Sequence, residues 1–221
     1  VNKGNRNSAR NACGLPFHNF SDYHGMVSEN NSDSVILEAT RRRLTEKQAD
    51  TVDRLTKATI EVLEREGYAG LTVRMVAAAA GVGTATAYTY FSSKEHLVAE
   101  VFWRRLLQAP HLEYTREQTS ADRVVAALRQ VSLVVGGESE LAGAVTSALL
   151  GQDPDVAHLR VRIGLEIRHR IAEAMGPDPD DHILEALEML YAGALVRAGM
   201  GYGTYNEMAD RIEKTTRLLL H

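Results

Sequence analysis

The sequence predicts an all-α chain. A three-helix head carrying a helix-turn-helix is joined to a C-terminal helical bundle, about nine helices in all. Three observations carry that expectation. Apolar residues recur at helical rather than strand spacing from residue 45 onward. N-cap signals precede those runs at Thr45, Thr72, Ser92, Thr119, Asp153, Asp178 and Thr204. Glycines close them at Gly67, Gly81, Gly136, Gly176 and Gly203. The expected domains are a tail over 1–40, a helix-turn-helix domain over 45–109 with its motif at 72–91, and a body over 110–221.

Residues 1–40 are rich in Asn, Ser and Gly and show no sustained period, which predicts disorder. Val1 is an unusual first residue. A non-ATG start codon explains it, and so does a true start at Met26. A peptide spanning Asn5 to Tyr23 in the mass spectrum of the native protein would rule out the Met26 start. Arg41, Arg42 and Arg43 form a basic run that reads equally as a solvated turn or as an arm for a DNA groove or backbone.

Thr45 and Gln48 have capping-box spacing and open a helix that runs to about Glu66. Its stripe of Val52, Leu55, Ala58, Val62 and Leu63 should pack on two short helices that follow. Thr72 caps the first, with Val73, Val76 and Ala77 on one face. Gly81 breaks it and Val82 plugs the turn. The second short helix holds Thr84, Ala85, Thr86, Ala87, Tyr88, Thr89, Tyr90 and Phe91. It is dense in hydroxyl and aromatic groups and carries no charge, a poor surface for a solvated helix and a good one against DNA.

Ala87 and Phe91, at i and i+4, are expected to face inward. Thr84, Thr86 and Thr89 are left to read base edges, because threonine bonds a donor or an acceptor and its methyl can touch a thymine methyl. Thr84 has a competing role as helix cap, since Gly83 has no side chain to do it. Tyr88 reads equally as core and as DNA contact, and Tyr90 reads as a phosphate ligand. Ser92 with Glu95 fits a second capping box, whose open amides and Lys94 suit a phosphate. Thr72, at the head of the motif, completes the candidate DNA-binding set.

The run GVGTATAYTYFSSKEHL, residues 81–97, resembles the signature of the TetR family of transcriptional regulators, and EREGYAGLTV upstream matches as well. The strong resemblance covers roughly residues 48–107. One departure is Gly83, where the family often has serine. The resemblance implies a DNA-binding regulator, most often a repressor, that binds a palindromic double-stranded operator as a homodimer and responds to a small-molecule effector.

The helix opened by Ser92 should run to about Pro110 and link head to body. Body helices are expected over 121–135, 138–150, 154–175, 178–202 and from Thr204 onward. Asp153-Pro154 and Asp178-Pro179 both read as an N-cap with proline in the first helical position. The last two helices carry more apolar surface than a terminal pair needs. By the resemblance they form the dimer interface, with Leu184, Ala194, Ala198, Ile212 and Leu219 as candidates. The resemblance also places an effector pocket among the body helices. Candidates are Trp103, Val134, Leu149, Leu150, Ile163, Ile167, Leu187, Tyr191 and Leu195. The stretch from Asp181 to Leu220 is similar to TetR-type repressors of lipid catabolism, which implies a lipid or acyl-CoA-like effector.

Net charge is −4, unusual for a nucleic-acid binder, but it is unevenly spread. Residues 1–105 hold 14 Lys+Arg against 12 Asp+Glu, and residues 106–221 hold 11 against 17. No apolar run reaches the ~18 residues of a membrane span. No signal core precedes the head, and the single Cys13 forms no intrachain disulfide, so a cytoplasmic protein is expected. Glu166 and His169 have the E-x-x-H spacing of a di-iron bundle, yet the nearest second pair, Asp155 and His158, lies on the same helix. Glu166, Arg168, His169 and Arg170 read instead as a charged, solvated face or an anion-binding rim. No phosphate loop, zinc spacing or nucleophile elbow occurs, so neither a metal, a cofactor nor an enzymatic activity is expected. A ligand-independent architectural DNA binder is the alternative, and a helical-bundle metal enzyme a remote second.

Overall fold

A computed structural model describes residues 45–220, which lie within one compact unit, Leu37–His221. The expected tail over 1–40, with Cys13 and Met26, and the run Arg41, Arg42 and Arg43 fall outside the described residues. Every element described is helical: α1 Glu46–Gly70, α2 Val73–Ala79, α3 Thr84–Tyr90, α4 Lys94–Gln108, α5 Ser120–Leu133, α6 Ser139–Leu150, α7 Pro154–Met175, α8 Asp181–Gly199 and α9 Tyr205–Leu219. No helix among them is long and apolar enough to cross a membrane.

Most helix starts follow local side-chain chemistry. The Thr45 amide donates to Gln48 Oε1 at 2.8 Å, and the Thr72 hydroxyl accepts from the Met75 amide at 3.2 Å. Thr119, Asp153 and Thr204 cap α5, α7 and α9 as their spacing predicts. Two starts are displaced. Ser93, not Ser92, caps α4, accepting from the His96 amide at 3.0 Å. Ser92 instead donates to Asp155 Oδ2 on α7 at 2.5 Å. Asp180, not Asp178, caps α8 through the amides of His182 and Ile183, so Pro179 lies outside the helix. At the far end α8 stops at Gly199, before Tyr202, and Gly201 takes the left-handed turn at φ 80°. Inside α1, Gly67 at φ 66° interrupts the helix where the sequence expects its end.

Four helix ends, those of α2, α4, α6 and α7, are closed differently, by arginines reaching across the fold. The last carbonyls of a helix have no intrahelical donor, and a guanidinium supplies several donors along with a charge that suits the dipole. Arg54 donates to Ala80 O behind α2, and Arg160 to Leu149 O and Gly151 O behind α6. Arg123 serves Ala174 O and Met175 O at the end of α7. Arg170 on α7 serves Leu106 O and Ala109 O at the end of α4, at 3.0 and 3.1 Å. Arg170 is 4% exposed, and also holds Glu166 Oε1 at 2.7 Å and Gln130 Oε1 at 3.1 Å. The solvated face expected over 166–170 is therefore wrong at Arg170, its last residue. Arg168 bridges to Glu188 and Asp181 of α8, which leaves His169 as the exposed member.

One apolar core runs from head to body. Leu55, Val62, Val76, Ala87 and Phe91 pack in the head, while Leu97, Val98, Phe102 and Leu106 of α4 carry the core onward to α5–α8. The nine pocket candidates belong mainly to this core. Trp103, Leu149, Ile163, Ile167, Leu187 and Tyr191 are buried in it, with Arg162 stacked over the Trp103 ring at 5.5 Å. Val134 and Leu195 are half-buried, and Leu150 is 57% exposed at the end of α6, where it cannot line an interior cavity. None of the nine lines the cleft of about 200 Å³ between α1 and residues 137–141.

The dimer candidates need a similar correction. Leu184, Ala194, Ala198 and Ile212 are buried against the protomer's own helices, and only Leu219 is exposed. Ala194 and Ala198 are small enough for close helix approach, and they use that smallness inside the protomer. The outer side of α8 is instead formed by Met189, Ala192, Gly193, Val196 and Met200, with Met189 63% and Met200 66% exposed. These recur at three- and four-residue steps and make one apolar stripe.

Candidate nucleic-acid interface

The turn between α2 and α3 is set by Gly81, whose φ of 62° is the left-handed conformation that side chains resist. Around it the Val82 amide reaches back to Ala77 O at 2.9 Å and the Gly81 amide to Ala78 O at 3.2 Å. Val82 packs against the core as the expected plug. Gly83 is the N-cap of α3 and makes no side-chain bond. Thr84 is therefore the first helical residue, exposed and not consumed as a cap.

Ala87 is fully buried on α3 and Phe91 follows it into the core. At about 100° per residue, Ala85 and Thr89 lie opposite and Thr86 lies at the flank, and all three are exposed together with Thr84. The Thr89 hydroxyl donates to Thr86 O, so its proton is spent inside the helix. Tyr88 and Tyr90 flank the inward direction on opposite sides. Tyr88 is 48% exposed, whereas Tyr90 is half-buried against the core. The structure thus makes Tyr88 the outward ring, and Tyr90 mainly a packing residue.

Lys94 is also less available than its position suggests. Its Nζ donates to Tyr68 O at 2.9 Å and lies 4.4 Å from the Tyr68 ring centroid. Tyr68 Oη bonds Glu95 Oε1 at 3.2 Å, and burial, reinforced by that carboxylate, pushes the phenol's pKa up. This knot ties the end of α1 to the start of α4. Both α2 and α3 lie between these two elements in sequence. Thr72 is exposed, but its hydroxyl serves the α2 cap.

Arg74 was missed from the sequence. It is exposed on α2 and forms no ion pair among the described residues. The signal was present: Arg74 is the only charged residue between Glu66 and Lys94. Two short helices joined by the Gly81 turn, the second with one buried face and one exposed face of hydroxyls and methyls, have the geometry of a helix-turn-helix protein.

Similarity to known proteins agrees with that class. The sequence model of bacterial regulatory proteins of the tetR family matches residues 55–101. An uncharacterized HTH-type transcriptional regulator of Mycobacterium tuberculosis is 43% identical over 201 residues, covering 86% of this chain and 94% of the relative. The HTH-type transcriptional repressor KstR of Mycolicibacterium smegmatis is 25% identical over 190 residues, covering 79% and 89%. Among solved structures, a TetR transcriptional regulator from Rhodococcus sp. RHA1 shares the fold with a TM-score of 0.67 at 21% identity, covering 79% of this chain and 98% of that one. A TetR transcription regulator from Haloarcula marismortui does so with a TM-score of 0.57 at 19% identity, covering 78% and 97%. The chain belongs to the tetR family of bacterial regulatory proteins and is a DNA-binding transcriptional regulator.

Proposed function

We propose that this regulator is a cytoplasmic repressor that binds a palindromic operator as a homodimer and is released by a small-molecule effector, lipid or acyl-CoA-like in class. The observation that carries the reading is the exposed, charge-free face of α3 on a helix-turn-helix whose connecting helix, α4, is locked into the body by Arg170. The match to a relative described as a repressor supports the sign of regulation. Thr84, Thr86 and Thr89 would face base edges, with Tyr88 and Arg74 on the backbone. Lys94 would either leave Tyr68 for a phosphate or stay as scaffold.

The apolar stripe on α8 supports the dimer, since its methionines and small residues suit a close helix pair with a second copy. The interface is then Met189, Ala192, Gly193, Val196 and Met200. Two half-sites a helical turn apart require that two-fold arrangement. An effector would have to open the packed region around Trp103, Ile163 and Tyr191. The opened body would favour an α4 position that spaces the two heads wrongly for the operator.

Selection of bound genomic fragments, followed by footprinting, tests the operator and the dimer together. Two-fold symmetric footprints are expected, and Met189→Asp should yield monomers that lose them. Asymmetric footprints from a monomeric wild type would defeat this part. A metabolite panel including long-chain acyl-CoAs then tests the response: the effector should raise Tm and release the fragment. If no compound does both, the ligand-independent architectural reading takes its place.

A further inference from the structure

We infer that the α3 face selects thymine-rich half-sites by methyl contact, with Ala85 and Thr89 as the specificity residues. The inference deepens the operator reading above and rests on it. The strongest major-groove readers are two-pronged: Arg or Lys on guanine O6 and N7, Asn or Gln on adenine N6 and N7. The outer face of α3 offers none of these, for residues 84–90 read Thr, Ala, Thr, Ala, Tyr, Thr, Tyr. What it offers is set by its geometry. Opposite the buried Ala87, Ala85 and Thr89 stand one turn apart on the outward side, and both are exposed.

Ala85 has only a methyl. Thr89 spends its hydroxyl proton on Thr86 O, so toward DNA it presents a methyl and an oxygen that can only accept. The centre of the face is therefore a pair of methyl groups rimmed by the hydroxyls of Thr84, Thr86 and Tyr88. In the major groove the matching apolar group is the C5 methyl of thymine, which neither guanine, cytosine nor adenine carries. Guanine at the same positions would put two unpaired acceptors against methyl groups and lose its water, a cost that discriminates against it. The rim hydroxyls tolerate either base edge, so the methyl pair carries the preference.

The test uses a genomic fragment captured by the full-length protein. Duplexes of its footprint are made with thymine and with deoxyuridine, which keeps every base pair and removes only the C5 methyl. Wild type should bind the uracil duplex more weakly, by about fourfold for each methyl pair lost. Thr89→Ser keeps the hydroxyl bond to Thr86 and removes the methyl, so its thymine-to-uracil ratio should shrink by about that factor. Ala85→Gly should do the same, and Thr89→Ser remains informative if glycine disturbs the short helix. Equal wild-type affinity for both duplexes overturns the methyl inference and leaves DNA binding intact. A wild-type loss that both variants share in full overturns the assignment to Ala85 and Thr89. Failure to capture any fragment sinks the operator reading itself.

Discussion

Arg170→Met removes the guanidinium that closes the connecting helix, and the structure gives the size of the effect. Arg170 is 4% exposed and its nitrogens meet Glu166 Oε1, Gln130 Oε1, Leu106 O and Ala109 O at 2.7, 3.1, 3.0 and 3.1 Å. Breaking a buried pair by deleting one partner costs about 3–5 kcal/mol, because the other charge stays behind unpaired. The Ala109 carbonyl, left without a donor, adds about 1–3 kcal/mol, while Leu106 O keeps the Ala109 amide at 3.3 Å. The terms overlap, since water can enter a site so opened. We expect a loss of about 4 kcal/mol, a large share of the roughly 5–15 kcal/mol that holds most domains together.

Urea unfolding followed by circular dichroism, at fixed protomer concentration, reads the loss as a midpoint shift of about 2 M for a slope near 2 kcal/mol/M. The double variant Arg170→Met/Glu166→Met should recover part of it, because the stranded carboxylate is gone but the donor to the Ala109 carbonyl is not replaced. Arg129→Met is the control: Arg129 meets Asp210 at 2.8 Å, but the two are 42% and 59% exposed, and the midpoint should hardly move. A loss below about 1 kcal/mol for Arg170→Met would refute the clamp. So would full recovery in the double variant, which would mean the α4 carbonyls had never depended on Arg170.

Gly199→Ala should cost about 1–3 kcal/mol, because a new Cβ there collides with Thr146 Cγ2 inside the α6–α8 contact. Adding Thr146→Ser deletes that methyl, keeps the hydroxyl that meets Tyr205 Oη at 2.8 Å, and should restore most of the Tm. Glu100 is 1% exposed, and burial raises its pKa against the opposing pull of Arg104. A raised acid stabilises the fold while protonated, so wild-type stability should fall as pH climbs above the ordinary glutamate value of 4.5. Glu100→Gln should flatten that fall, and coincident denaturation profiles from pH 4.5 to 8 would rule out this carboxyl as its source. Thr72→Ala should cost about 1 kcal/mol in unfolding free energy through loss of the α2 cap, while Thr72→Ser restores it. If serine also fails, the methyl rather than the hydroxyl matters there.

The candidate site was legible where one turn of helix contains the whole cause. Gly81 and the buried pair Ala87 and Phe91 fixed the turn and the inward face from residues three to five apart. Tyr88 and Tyr90 were not separable that way. Each lies about 80° from the inward direction, on opposite sides, so helical period alone gives them equal standing. Packing of Tyr90 against the core leaves Tyr88 outside. The body candidates were less legible for a related reason. Leu184 and Ala194 have the composition of an interface, but an apolar residue on a helix does not record whether it meets its own chain or another. Leu150 likewise has a pocket's chemistry and an exposed position.

From the sequence alone follow the all-α class, the helix-turn-helix and most helix starts, because an N-cap is a bond between residues two or three apart and needs no knowledge of the rest of the chain. Only the tertiary structure decides which side chains bond the last carbonyls of α2, α4, α6 and α7. Arg54, Arg123, Arg160 and Arg170 reach carbonyls between 9 and 64 residues away, and no local pattern announces such a bond. In sequence Arg170 belongs to a charged run that reads as solvated. In the fold it is the buried donor that fixes the helix between the DNA-facing head and the body, since carbonyls left without water must find a donor wherever the chain can bring one.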